Sequence, residues 1–513
     1  MGSSGSGAGS SHSMESLWLA GREPVPGEPF VPGRTCDVAV VGAGLTGLVT
    51  AVLLARAGRE VTVIEAREVG AVTTGHTTAK ISLLQGTTYS RMLKHTSEHV
   101  ARAYVEANRD GQTWLLDYCA ERGVAVQRRD AVTYALSLLG RSAVQQEYEA
   151  AARIGLDVEQ VEPDELPFTT RAAIRLAHQA QFDPMDALAA LAADLRTLGG
   201  RLHVGVRVQG VRVGEPCQLH TSQGDLLARQ IVLATGTPIL DRGLYFAKLI
   251  ALRSYAAAFR VAGTLIPEGM YLSADSPTRS LRSTLRGGEE LLLVGGNGHV
   301  VGRAASPKSR LRELEVWTTR NFAGAELIHR WSAQDYRSAS LVPFAGKLPR
   351  GGGAVCVATG YNKWGMTNAV AAGLRISGEM LGNPPGWAKA IGHRVTRPRD
   401  LLTGAQANAS VGVAATLGWT AALMSPGTTR TPAEGQAVVV RRGARPVGIS
   451  TVGGSTCAVS LVCPHLKGVL RWNDAELSWD CPLHGSRFTP SGTLLEGPAT
   501  SDLRTETVDL EDR

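Results

Sequence analysis

From residue 36 the chain alternates short apolar runs with longer segments of helical period. Residues 36–65 read as strand, glycine-rich turn, apolar helix, strand. The spacing predicts a helix with scattered charge over 93–122, strand-like periodicity over 124–140, and helices at about 142–154 and 185–199. Strands follow at 201–213 and 229–235. The stretch 245–303 is mostly strand-like with glycine turns and ends in LLLVGG. A polar helix is predicted at about 308–321, a buried strand at 354–360, and a helix over 367–381. Helices and strands interleave in the first 120 residues and again near 200 and 360, the pattern of a split α/β domain with an inserted mixed domain. Past residue 435, strands and turns dominate, as in a separate all-β unit.

The predicted boundaries are a disordered leader and extended approach (1–34), an α/β domain in three parts (35–123, 191–240, 331–383), and an inserted domain in two (124–190, 241–330). A proline-marked linker (384–434) leads to the C-terminal unit (435–513). Within the linker, residues 401–429 carry no charge. A membrane helix needs about 20 predominantly apolar residues. Gly, Ser, Thr, Asn and Gln dilute this stretch, so a soluble packing helix is favoured over a span.

Composition changes the picture little. The chain has 513 residues, net charge +7, and basic residues scattered without a long run. That argues against a nucleic-acid partner. The N-terminus MGSSGSGAGSSHSM lacks the basic and apolar regions of a secretory signal, so residues 1–13 are set aside and a cytoplasmic location is expected. The spacing of the seven cysteines suggests no disulfide framework. Cys36, Cys119, Cys217, Cys356 and Cys457 lie in apolar surroundings and read mostly as buried small hydrophobes.

The first chemical signal is the strand ending at Val41, then Gly42-Ala-Gly44-Leu45-Thr46-Gly47, then a helix. Gly42 suits a tight turn, Gly44 a backbone approach to a pyrophosphate, and Gly47 close helix–strand packing. The next strand ends at Glu65, followed by Ala66; a carboxylate there can accept ribose hydroxyls and would repel a 2′-phosphate. The motif alone leaves FAD and NAD open. Two later buried strands end in small-residue turns, at Ala234-Thr235-Gly236 and at Gly360, with Gly365, Met366 and Thr367 opening a helix. The segment VGGNGHVVG at 294–302 could be a second nucleotide loop; no helix follows directly, so a hairpin of the inserted domain is favoured.

At these residues the chain resembles the D-amino-acid-oxidase-like FAD oxidoreductases, the family of glycine and sarcosine oxidases, over about 36–383. The resemblance implies FAD. It would run VGAVTTGHTTAK (69–80, with Thr77 and Thr78) along the pyrophosphate and flavin, and set Val208 against the adenine. HRWSAQDYRSASLVPFAG at 329–346 resembles the family's return strand, with Ser340 where an acid is usual. Lys80 is a candidate beside the reactive ring, though a surface lysine at a helix start reads equally well. Arg253 and Tyr255, on a strand-like run, could clamp a substrate carboxylate, with an ordinary structural role favoured.

The second signal is Cys463-x-His465, fifteen residues, then Cys481-x-x-His484. Two Cys and two His could hold zinc. The paired short loops, with WN and WDCP-H-GSRF around them, resemble instead a Rieske [2Fe–2S] site, in which two cysteines bind one iron and two histidines the other. High-potential relatives add a disulfide-forming Cys to each loop; here those positions are Gly468 and Leu483. Ser486 keeps one expected hydroxyl donor, and Phe488 stands where a Tyr would supply the other. Lys467 and Arg487 add positive charge.

The expected fold is thus an α/β FAD-binding Rossmann-like domain with an inserted α+β substrate domain, followed by an all-β Rieske domain. The expected function is an oxidoreductase that oxidises a small amine or amino-acid-like substrate at FAD and passes electrons singly through the cluster. The acceptor would be a soluble electron carrier or oxygen. Two alternatives stay open: the cluster feeds the flavin for reductive or oxygen-dependent chemistry, or the chain is a non-catalytic electron-transfer module. No catalytic acid, base or nucleophile stands out.

Overall fold

The computed structural model describes residues 14–392, 398–426 and 430–507. Residues 1–13, set aside above, lie outside the described residues. Three layers of structure follow from the hydrophobic pattern.

The first is a mainly parallel sheet of eight strands. Its spatial order is Phe344–Lys347, Val355–Thr359, Gly224–Leu233, Thr35–Val41, Val61–Ile64 and Arg201–His203, with the hairpin Val208–Arg212/Cys217–Thr221 added to Gly224–Leu233. Val41 pairs with Leu233 on one side and Ile64 on the other. The chain therefore reverses its winding direction at Thr35–Val41, and the carboxyl ends there form the crevice where ligands of such sheets bind. The helix Leu45–Arg56 is buried along nearly its whole length, because it packs between this sheet and the helices Pro184–Thr197 and Gly365–Leu381. That is why its sequence is apolar on every side rather than along one stripe.

The second layer is a nine-stranded, largely antiparallel sheet running from Ala325–Ser338 through Leu249–Val261, Glu289–Val300, Arg279–Arg286 and Met270–Ser273 to Val126–Ala135, Ala172–Phe182 and Lys80–Ile81. The return strand Ala325–Ser338 pairs along Leu249–Val261, so this sheet continues past residue 331, beyond the boundary expected for the inserted domain. Ala172–Phe182 escaped the sequence pattern because its apolar positions are mostly alanines. The segment at 294–302 is the far half of the strand Glu289–Val300; its hairpin turns earlier, at Gly287 and Gly288.

The third layer is all β. A meander, Ala437–Arg442, Arg445–Val452 and Ser455–Ser460, lies with a four-stranded sheet of Arg471–Asn473, Ser478–Asp480, Arg487–Phe488 and Leu494–Glu496. Between it and the rest, the expected linker carries the helices Ala388–Gly392 and Pro398–Leu423. Pro398 opens the longer helix, where a missing N–H costs nothing, and Pro426 follows its end. This helix packs on the C-terminal domain: Trp419 Nε1 donates to the carbonyl of Lys467 at 3.1 Å. Among the described residues no helix is long and apolar enough to cross a membrane.

Candidate active site

At the carboxyl ends of the parallel strands lies a cavity of about 620 Å³. Gly42, at φ +108°, turns the chain where a side chain would strike the carbonyl of Ala234. A Cβ on Gly47 would overlap the carbonyl of Gly42, so Gly47 serves the packing of helix on strand and does not line this cavity. Gly44 differs: a Cβ there meets only the Thr74 hydroxyl, at 3.2 Å. Gly44, the N-cap of the helix that follows, has no side chain to cap it, and the first helical amide, Leu45 N, donates to Thr74 Oγ1 at 3.2 Å. Such an end suits an anion. Glu65 sits beside it, one carboxylate oxygen accepting from the amide of Ala43 at 2.8 Å and the other from Arg67 at 3.0 Å.

Of the other residues expected at the cofactor, Leu45, Thr46, Ala66, Thr77, Thr78, Val208, Ala234, Thr235, Gly236, Gly365 and Met366 also line this cavity. Three do not. Gly47 is accounted for above. Thr367 is buried and turns its hydroxyl onto Asn108 Oδ1 at 2.6 Å. Gly360, at φ +85°, faces Leu249 and makes the turn before the helix.

The substrate-side candidates separate. Lys80 lines the cavity, its Nζ donating to the carbonyl of Tyr271 (2.8 Å) and to Ser280 Oγ (2.7 Å). Burial, reinforced by the nearby Arg282 charge, lowers its pKa to about 7. Lys80 thus starts a strand inside the protein, not a surface helix. Tyr255 lines the cavity and bonds His299 Nε2 at 3.0 Å. Arg253 does not reach it. Its guanidinium, 1% exposed, pairs with Glu476 at 2.6 Å and with Glu496 at 3.4 Å. It does clamp carboxylates, but they belong to this chain's own C-terminal domain.

Sequence reasoning missed a set of charges on the cavity wall: Arg91, Arg337, Lys363 and Asp335. Burial raises Asp335 to about 6, against the amides of Lys363 and Tyr336 that bond it. Burial lowers Lys363, against the pull of Asp335. Arg337 is lowered by burial and by its like-charged neighbour Arg91, and no carboxylate in the described residues forms an ion pair with either. The local hints were the segment 329–346, which holds Asp335 and Arg337, and the turn YNKWG, where the structure sets Lys363 at positive φ.

The Cys/His loops form a second centre. Cys463 and Cys481 are buried side by side. The Cys463 thiol is lowered to about 7, first by the Cys481 thiol and then, against burial, by the amides of His465 and Leu466 and the Ser486 hydroxyl. The rings of His465 and His484 lie 5.2 Å apart, and Phe246 packs edge-on against both. His484 is lowered to about 4 by burial, then by His465, so it stays neutral, the form that binds metal. Its Nδ1 is buried with no hydrogen-bond partner. His465 Nε2 bonds Asp241 at 2.8 Å, which leaves its other nitrogen for a metal. Leu483 fills the space over Gly468: a Cβ there would come within 2.6 Å of it. Two sulfurs fed by N–H donors and an orphaned imidazole nitrogen fit an iron–sulfur cluster. One expectation changes: Arg487 brings no free positive charge, because Glu476, Asp480 and Glu496 surround it at 2.6, 3.1 and 2.6 Å.

Comparison with known proteins agrees with both centres. Residues 37–377 match the family described as FAD dependent oxidoreductase, and residues 423–507 match the Rieske [2Fe-2S] domain. The chain belongs to the FAD-dependent oxidoreductases. This oxidoreductase is 31% identical to the putative Rieske 2Fe-2S iron-sulfur protein YhfW of Bacillus subtilis (strain 168), over 97% of this chain and 98% of that one. In fold it is similar to L-proline dehydrogenase from P. horikoshii, with TM-score 0.56 and 17% identity over 70% of this chain and 96% of that one. It is equally similar to glycine oxidase from Geobacillus kaustophilus, with TM-score 0.56 and 16% identity over 69% of this chain and 96% of that one. The oxidoreductase domain implies FAD and the Rieske domain a [2Fe–2S] cluster, so the zinc alternative falls.

Proposed function

We propose that this oxidoreductase oxidises a small amine or amino-acid-like substrate and exports the electrons singly through its Rieske domain to a one-electron carrier. FAD accepts an electron pair, whereas a Rieske cluster passes single electrons. Oxidation of a C–N bond to C=N releases two electrons and two protons, so the carrier turns over twice per substrate.

One observation carries this reading above others. The histidine pair faces the flavin-binding half of the chain instead of solvent: Asp241 bonds His465, Phe246 covers both rings, and Arg303 donates to the carbonyl of Pro482 at 3.0 Å. Such packing suits an internal partner for the cluster. In the cavity, Gly44 and the helix N-terminus behind it would receive the pyrophosphate and Glu65 the ribose, with Val208 at the adenine. Arg337, Arg91 and Lys363 would hold the substrate carboxylate. Neighbours in fold that are named for proline and glycine support an amino-acid-like substrate. Lys80 and Asp335, shifted by burial towards neutrality, could each move a proton near pH 7. The test is a screen of amines and amino acids, read without oxygen by flavin bleaching. Bleaching by substrate alone supports the reading; bleaching only by an external electron donor overturns it.

A further inference from the structure

The cavity is not enclosed by the oxidoreductase domain alone. Leu495, Glu496, Gly497 and Ala499, from the Rieske domain, form part of its wall. The segment is held from two sides. On the flavin side, Arg207 donates to the carbonyl of Leu494 at 2.9 Å and the Tyr336 hydroxyl to that of Gly497 at 3.4 Å. On the cluster side, the amide of Ala499 donates to Ser486 Oγ at 3.0 Å, and the Ser486 hydroxyl lies in hydrogen-bond contact with Cys463. Glu496 is fixed by Arg487 and Arg253 through Oε1, yet its Oε2 is buried with no partner. A buried carboxylate oxygen without a donor costs free energy unless a ligand supplies one.

We infer that the Rieske domain completes the FAD site: residues 495–499 are a cofactor-binding element, and Glu496 Oε2 accepts a hydrogen bond from the bound cofactor. The segment thereby lines the cofactor cavity directly and reaches the cluster ligand Cys463 through Ser486. This inference rests on the reading that the cavity holds FAD. Sequence motifs for flavin binding end near residue 367, so the contribution of residues 130 positions later is visible only in the folded chain.

The test uses the full chain, stripped of FAD and titrated back, with the Rieske EPR signal followed in parallel. Leu495→Ala removes side-chain atoms at the cavity wall. It is expected to weaken FAD binding by about tenfold, the effect of losing partly buried methylenes, while the EPR signal stays unchanged. Unchanged affinity with an intact EPR signal overturns the inference. Should the variant lose its cluster, hydrogen exchange on the wild-type chain decides: FAD should slow the amides of 494–499 and leave the meander strand Arg445–Val452 unaffected. Equal exchange at 494–499 with and without FAD overturns it. Gly44→Val separates the two layers of the argument, because FAD retained in that variant refutes the cavity assignment itself, whatever Leu495→Ala does.

Discussion

Two groups of buried charge in this molecule behave in opposite ways. At the junction of the two domains, Arg253 and Arg487 meet Glu476, Asp480 and Glu496 in one network. Burial alone would raise the Glu476 pKa, yet Arg253 and Arg487 hold it down at about 2. In the cavity, burial and the nearby Arg91 charge lower Arg337, which has no ion-paired carboxylate among the described residues, while Lys80 is lowered to about 7. A charge paired within the chain fastens structure. A charge left unpaired at a cavity wall is poised for a ligand. Residue type does not distinguish the two, and neither does strand context.

The contrast breaks most visibly at Arg253. Arg253→Ala leaves Arg487 as the one cation of this network against three buried carboxylates, Glu476, Asp480 and Glu496, so chemical denaturation should show a loss of about 3–5 kcal/mol. A loss under 1 kcal/mol would mean that the network is not holding the domains. Arg337→Met is the opposite case. Stability should change little, within about 0.5 kcal/mol, while KM for a carboxylate substrate rises tenfold or more, about 1.4 kcal/mol. Equal loss of stability in both variants would erase the distinction.

Lys80 sharpens it through pH. Its folded pKa of about 7 lies below the usual 10.5, so between these values the unfolded chain binds the extra proton. FAD-free protein should therefore gain stability as pH rises from 7 to 10.5, and Lys80→Met should flatten that slope. A slope unchanged in the variant would assign the effect elsewhere. The smallest effect belongs to Ser486→Ala. Losing a hydroxyl donor to Cys463 should lower the cluster potential by on the order of 40 mV, one hydrogen bond of about 1 kcal/mol for a one-electron couple. Protein voltammetry would show it, and an unmoved potential would place the Ser486 hydroxyl away from the cluster.

Much of this was legible in the chain. The glycines at 42, 44 and 47 and the ligands at 463, 465, 481 and 484 belong to compact motifs whose spacing is itself the geometry. Most of the expected cavity residues were legible too, because they follow strands that end at one edge of the sheet. For Arg253 the favoured structural role was legible but its carboxylate partners were not, because they lie more than 200 positions away, on another domain. Asp241 and Phe246 carried no local signal, since a loop acid and a helix phenylalanine become meaningful only when the histidines dock on them. The packing helix expected within the linker was legible from its apolar, uncharged composition; that it would lie against Lys467 of the C-terminal domain and bond Arg303 of the rest was not.

The central claim is that electrons enter at the flavin and leave through the cluster. Mixing substrate with oxidised protein without oxygen, and sampling both flavin absorbance and the Rieske EPR signal by rapid freezing, tests it directly. The account predicts flavin bleaching first, then growth of the EPR signal at the flavin's expense. In His484→Ala, which lacks the cluster, bleaching should persist. Bleaching that vanishes with the cluster, or an EPR signal that precedes it, would contradict the account.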